Sequence, residues 1–141
     1  FAAEIMTWYG EDSIYPLKIF SGKAVGPLAG MVPWGGVSVC TINKDIYGEK
    51  YNEYENKLQI NYFDGPYFVP MQNSDIEILV RYEVNNEAAV ISGTYGNGRF
   101  LLFGPHPELG TYNRSTDDLV IDGGEGSQWE FLDETLKWFF K

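Results

Sequence analysis

The sequence predicts an α/β domain built on a mixed, partly antiparallel sheet with flanking helices. Several short runs alternate apolar and polar residues, as half-buried strands do. Tyr95-Gly96-Asn97-Gly98-Arg99 is a tight glycine turn between two apolar runs, the mark of a hairpin. The last stretch of the chain changes to helical spacing.

Taken in order, residues 1–9 place Phe1, Ile5 and Trp8 on one stripe with Ala2, Met6 and Tyr9 beside it, which predicts a helix stopped by Gly10. No Ser, Thr, Asp or Asn precedes Phe1 as a cap, so this helix is expected to begin abruptly, as it would in the C-terminal portion of a longer domain. Residues 15–20 read as a short strand. Residues 22–36 hold five Gly and two Pro and predict loop or bent backbone. Residues 37–42 alternate as a strand, 45–56 form a polar connection, and 57–63 alternate again with Leu58, Ile60 and Tyr62 on one face.

Residues 76–82 predict a strand with Ile76, Ile78 and Val80 inward, and 88–95 another, paired through the glycine turn with Phe100-Leu101-Leu102-Phe103. Residues 111–126 are a long polar loop whose acidic residues lack calcium-loop spacing. Ser127 with Glu130 forms a capping-box pattern for a final helix. Trp129, Leu132, Leu136 and Phe139 or Phe140 are its expected buried stripe.

Composition narrows the function. With 44% hydrophobic and 16% aromatic residues the 141-residue chain is expected to fold as a single domain, 1–141. A net charge of -10 and pI near 4.4 argue against nucleic acid as a partner, since phosphates need clustered Lys and Arg. No apolar run approaches the ~18 residues of a membrane helix, and no signal or transit segment is evident; a lone cysteine fits the cytoplasm better than a disulfide-built secreted domain, so a cytoplasmic location is expected. A single cysteine, Cys40, excludes an internal disulfide. With one histidine it cannot supply a structural zinc site, so no metal or other cofactor is expected. Asn113-Arg114-Ser115 is formally a glycosylation sequon.

The only histidine sits in Gly104-Pro105-His106-Pro107-Glu108, directly after the apolar run at 100–103. That places it at the end of a strand, where open α/β sheets put their sites. If the segment stays extended through Pro107, His106 and Glu108 point the same way. An imidazole positioned by a carboxylate is the base half of a nucleophilic triad; read without further context, a histidine between prolines is more often a turn residue whose ring bonds a backbone carbonyl.

Residues 88–99 running into Gly104-Pro105-His106-Pro107-Glu108 resemble the closing hairpin of class I glutamine amidotransferase-like domains. Tyr62-Phe63-Asp64-Gly65-Pro66-Tyr67-Phe68-Val69 is similar to a segment of the branch found at the N-terminus of biotin-protein ligases, and Phe1-Ala2-Ala3 resembles the helix just after that family's nucleophile elbow. The resemblance implies a flavodoxin-like domain of which this chain is the C-terminal part. It also implies a Cys-His-Glu triad for amide hydrolysis or transfer, with His106 as base and Glu108 orienting it.

The nucleophile that the resemblance implies would lie before Phe1. Cys40 is a poor substitute, because Val39-Cys40-Thr41 has strand character and no small-residue elbow. Asp64, Gly65 and Tyr67 are the candidate substrate-binding residues, although Asp64-Gly65-Pro66 also reads as a plain turn. The expected partners are a small amide or amino-acid-like ligand and either the missing N-terminal part or a second copy of the chain. No ligase motif is visible. The rival reading is a noncatalytic β-rich module for carbohydrate or protein, resting on ten Tyr, four Trp and surplus acids.

Overall fold

Alternation of side chains drives much of this chain into strands. The computed structural model describes residues 3–12, 17–109, 112–113, 118–119 and 128–141. Its elements are β1 (Ala3–Trp8), β2 (Glu11–Asp12), β3 (Phe20–Gly26), β4 (Gly36–Ile42), α1 (Lys44–Tyr47) and a 3₁₀ helix (Gly48–Tyr54). They continue with β5 (Lys57–Tyr62), β6 (Tyr67–Pro70), β7 (Ile76–Tyr82), β8 (Ala88–Tyr95), β9 (Gly98–Phe103), the short strands β10 (Tyr112–Asn113) and β11 (Asp118–Leu119), and α2 (Trp129–Phe139).

The fold class is α/β with a mixed, mostly antiparallel sheet. Among the described residues nine strands form one sheet, ordered β2-β1-β3-β6-β8-β7-β4-β5, with β9 paired on β8. The pair β1–β3 is parallel and the others are antiparallel. The strands at 37–42 and 76–82 are interior: β4 lies between β7 and β5, and β7 between β8 and β4. The 88–103 hairpin closes on Gly96 and Asn97, with Tyr95 opposite Gly98 and Gly96 at φ 59° in the left-handed region. β10 and β11 pair inside the stretch expected to be loop; the rest of that loop lies outside the described residues.

Two apolar clusters hold the sheet. The larger joins Cys40, Ile42, Ile60, Tyr62, Leu79, Val80, Tyr82 and Val90 to Phe131 of α2. The smaller joins Ala3, Met6, Phe20, Ala24, Phe68, Ala88, Ile91 and Phe100. Arg99 lies over the rings of Trp138 and Phe139 at 5.2 and 4.8 Å and donates to the Phe139 carbonyl, which fastens the end of α2 to the hairpin.

Five sequence expectations are corrected. The opening helix is a strand: β1 runs parallel to β3, with a register shift between Ala3 and Ile5. That irregularity puts Ala3 and Met6, three residues apart, in one core, so an interrupted strand imitates helical spacing. The resemblance of Phe1-Ala2-Ala3 to a helix after an elbow falls with it for Ala3; Phe1 and Ala2 lie outside the described residues.

The glycine-rich stretch begins as strand β3, with Phe20, Gly22, Ala24 and Gly26 inward. Its glycines answer to space: a Cβ at Gly26 would come within 2.5 Å of the Trp8 ring, and one at Gly22 within 2.5 Å of the Val69 carbonyl. The strand expected at 15–20 starts only at Phe20; residues 13–16 lie outside the described residues. The connection at 45–56 folds into α1 and the 3₁₀ helix, because Tyr51 buries its ring.

The last correction concerns α2, which buries Phe131 and Thr135 and leaves Trp129, Leu136 and Phe140 exposed. Phe131 packs on the Tyr47 ring at 5.4 Å, and the Thr135 hydroxyl bonds both Tyr47 Oη and the Phe131 carbonyl. Lys50, ion-paired with Glu130 and Glu134, fixes the same side of the helix. Its cap is Gln128, without a side-chain capping bond, and Ser127 lies outside the described residues.

Asn43 supports the start of α1 twice over. Its Oδ1 accepts from the Asp45 amide at 3.0 Å and its Nδ2 donates to the Ile78 carbonyl at 3.0 Å. Asn43→Ala is expected to cost about 1–2 kcal/mol in urea unfolding, the usual loss for a cap with a second bond. An unchanged midpoint would show both bonds to be dispensable.

Candidate functional site

His106 stands just beyond β9. Gly104 continues the hairpin by donating its amide to the Ala89 carbonyl at 2.8 Å, and the chain then leaves the sheet at Pro105. The segment does not stay extended. The Leu109 amide donates to the His106 carbonyl at 3.3 Å, so residues 106–109 form a tight turn with Pro107 and Glu108 at its centre. The turn, and not strand alternation, brings the two side chains together: His106 Nδ1 lies 2.9 Å from Glu108 Oε1. A carboxylate only accepts, so Nδ1 is the donor in this bond, and in the neutral tautomer that makes it Nε2 holds the lone pair. The imidazole side chain is 34% exposed and the carboxylate 51%, so the pair is open to a reactant from solvent.

The site rests on a backbone crossing. Gly65 and Gly104 meet so closely that a Cβ on Gly65 would lie 1.6 Å from the Gly104 carbonyl oxygen. Two buried tyrosines hold the crossing from below. Tyr62 Oη accepts from the Leu28 amide at 2.6 Å and donates to the Gly65 carbonyl at 2.7 Å; Tyr82 Oη donates to the Pro66 carbonyl at 3.3 Å. Burial pushes the Tyr62 phenol up to about 12, the Leu28 bond pulling the other way, and pushes Tyr82 well above the ordinary range. Both therefore remain O–H donors at neutral pH.

Sequence-derived candidates land in different places. Gly65 is buried in the crossing. Asp64 is half-buried at φ 57°, a left-handed conformation that Asp tolerates. Tyr67, in β6, packs against the larger core. Cys40 is fully buried, with Ser38 Oγ 3.6 Å from its sulfur, and burial pushes its thiol up to about 12 against the pull of that bond. It behaves as an inert core residue. Among the described residues no group of three His, Cys, Asp or Glu side chains gathers where a metal ion could bind, and no helix is long and apolar enough to cross a membrane.

Three neighbours of His106 carried no sequence signal. Phe63 sets its ring edge-to-face with the imidazole, centroids 5.9 Å apart, and Trp34 sets its indole edge-to-face with Phe63 at 5.6 Å. Trp34, in a glycine- and proline-rich stretch, is 48% exposed. Asn61 reads in sequence as an outward polar residue of a strand, yet it is 97% covered and its carbonyl accepts from the His106 amide at 2.8 Å.

Among known proteins, the family described as biotin-protein ligase, N terminal, matches residues 16–134. No curated protein and no solved structure matches the chain. The matched span takes in β3 to β11, the Gly65–Gly104 crossing, the His106 turn and half of α2. This chain belongs to the biotin-protein ligase N-terminal family.

Proposed function

We propose that this chain is the C-terminal part of a flavodoxin-like, glutamine amidotransferase-like domain. In this reading it carries the His-Glu half of a Cys-His-Glu triad for amide hydrolysis or transfer. The single observation behind the reading is the 2.9 Å bond between His106 Nδ1 and Glu108 Oε1, made at the end of a strand and open to solvent. The family match supports the domain type, and the parallel pair β1–β3 is the part of the sheet that fits a flavodoxin-like parent. Asp64 and Tyr67 are the proposed substrate-facing residues, with Gly65 shaping the turn between them. The substrate class is a small amide or amino-acid-like molecule.

In this mechanism a cysteine thiol from outside Phe1–Lys141 gives its proton to His106 Nε2, and its sulfur bonds to the amide carbon. The carbonyl oxygen takes the electron pair. When the tetrahedral adduct collapses, the C–N bond breaks and Nε2–H returns the proton to the leaving amine. Water then hydrolyses the thioester with His106 again as base. Glu108 holds Nδ1–H throughout and stabilises the imidazolium.

Cys40 has no place in this scheme, since its thiol is buried and un-ionised at neutral pH. Phe1–Lys141 alone is therefore expected to release no ammonia from glutamine, and Cys40→Ala to change nothing. With the nucleophile supplied by the parent polypeptide, release that depends on His106 is the expected result. Release by the isolated chain that disappears in Cys40→Ala would overturn the proposal.

A second reading, a noncatalytic module for carbohydrate or protein, draws on the row Trp34–Phe63–His106 with its half-exposed indole. Quenching of tryptophan fluorescence by oligosaccharides, lost in Trp34→Phe, would favour it.

A further inference from the structure

The turn at 106–109 is held at every residue. The His106 amide donates to the Asn61 carbonyl at 2.8 Å, and Asn61 Nδ2 donates to the Leu109 carbonyl at 2.6 Å. One residue of β5 therefore grips both ends of the turn. Between those ends, the Pro107 carbonyl accepts from the Gln128 amide at 2.9 Å and the Glu108 carbonyl from Trp129 Nε1 at 2.9 Å. Gln128 in turn sends Nε2 to the Gln59 carbonyl at 3.0 Å, so the start of α2 and the outer edge of β5 close on the same turn.

We propose that Asn61 is the positioning residue of the His106–Glu108 pair, its carbonyl and carboxamide spanning the turn so that Nδ1 meets the carboxylate. The inference rests on the His-Glu reading of the site but needs no nucleophile. Asn61 is the member of the grip best suited to this, because it is 3% exposed and touches both ends, whereas Gln128 and Trp129 each hold one interior carbonyl. A bond at the surface competes with water more than one made by a covered side chain such as that of Asn61. With the carboxamide gone, the Leu109 end loses its anchor and the carboxylate drifts from the ring. The imidazole proton is then free to move to Nε2, the wrong nitrogen for a base.

His106 is the one histidine of Phe1–Lys141, so its two ring nitrogens give unambiguous ¹⁵N resonances in this chain, at a pH where the ring is neutral. Wild type is expected to show Nδ1 at the protonated position and Nε2 at the unprotonated one. Asn61→Ala should move Nδ1 toward the unprotonated position while the amide spectrum of β8 and β9 stays in place. Asn61→Ser keeps a small polar side chain too short to reach Leu109 and should give the same shift; it serves if the alanine variant fails to fold. Glu108→Ala separates the two levels of the claim, because it removes the acceptor on Nδ1. If it leaves the ring nitrogens unmoved, the His-Glu pair itself is not made and the function proposed above fails with it. If Glu108→Ala moves them but folded Asn61→Ala and Asn61→Ser do not, the pair stands and the role of Asn61 is overturned.

Discussion

Gly65→Ala is expected to destabilise the protein by about 3 kcal/mol or more, lowering the melting temperature by about 10 °C in a domain of this size. The added methyl would sit 1.6 Å from the Gly104 carbonyl oxygen and 2.6 Å from its carbon, both backbone atoms of a strand exit already fixed by the bond to Ala89. No rotamer change relieves a clash between main chains, so the crossing must open. Opening it pulls the Gly65 and Pro66 carbonyls away from Tyr62 and Tyr82, whose buried hydroxyls then lack acceptors. Gly98→Ala is the control: its nearest neighbour would be the Tyr95 carbonyl at 3.7 Å, and a change within about 0.5 kcal/mol is expected. Thermal unfolding followed by circular dichroism decides it. Equal melting temperatures for the two variants would mean that the 65 and 104 backbones do not cross as described.

Alkaline pH is expected to unfold this protein steeply. The Cys40 thiol is raised from 9.0 to about 12 by burial, Tyr62 from 10.0 to about 12, and Tyr82 well above 10.0, again chiefly by burial. Each group holds its proton more tightly folded than unfolded, so between the two values the native state binds more protons. Stability then falls as pH rises. The contribution is complete below about pH 9 and is lost progressively from there towards pH 12, the window that these shifts define. Because Cys40 is the only thiol, its labelling by a thiol reagent reports opening of the fold. Labelling should stay slow until the circular dichroism signal falls, then rise with it. Rapid labelling of a fully folded protein near pH 9 would show that Cys40 is reachable, and would reopen its candidacy as nucleophile.

Much of this fold was legible because much of it is local. β4, β5, β7, β8 and β9 follow from alternation and from the glycine turn at 95–99, whose geometry depends on residues within a few positions of each other. The His106–Glu108 pair was legible for the same reason, though a turn joins them where extension was expected. β1 was misread because a register shift broke its alternation, and β3 because glycines that make room for Trp8 and Val69 look the same in sequence as glycines that make a loop. The buried face of α2 was misread because two apolar stripes compete on it. Tyr47 and Lys50, more than 80 residues away, choose between them.

What the sequence by itself determined, then, was five strands of the central sheet, β4, β5, β7, β8 and β9, the hairpin and the presence of one imidazole beside one carboxylate. Only the tertiary structure decided that Asn61 grips the turn, that Trp34 and Phe63 line up with His106, and that Gly65 and Gly104 cross. The physical reason is range: periodicity and turn chemistry act between neighbours and leave a trace in composition. Which strand edge a turn docks on is settled by packing between segments far apart, and Asn61 in sequence is only a polar residue between Ile60 and Tyr62.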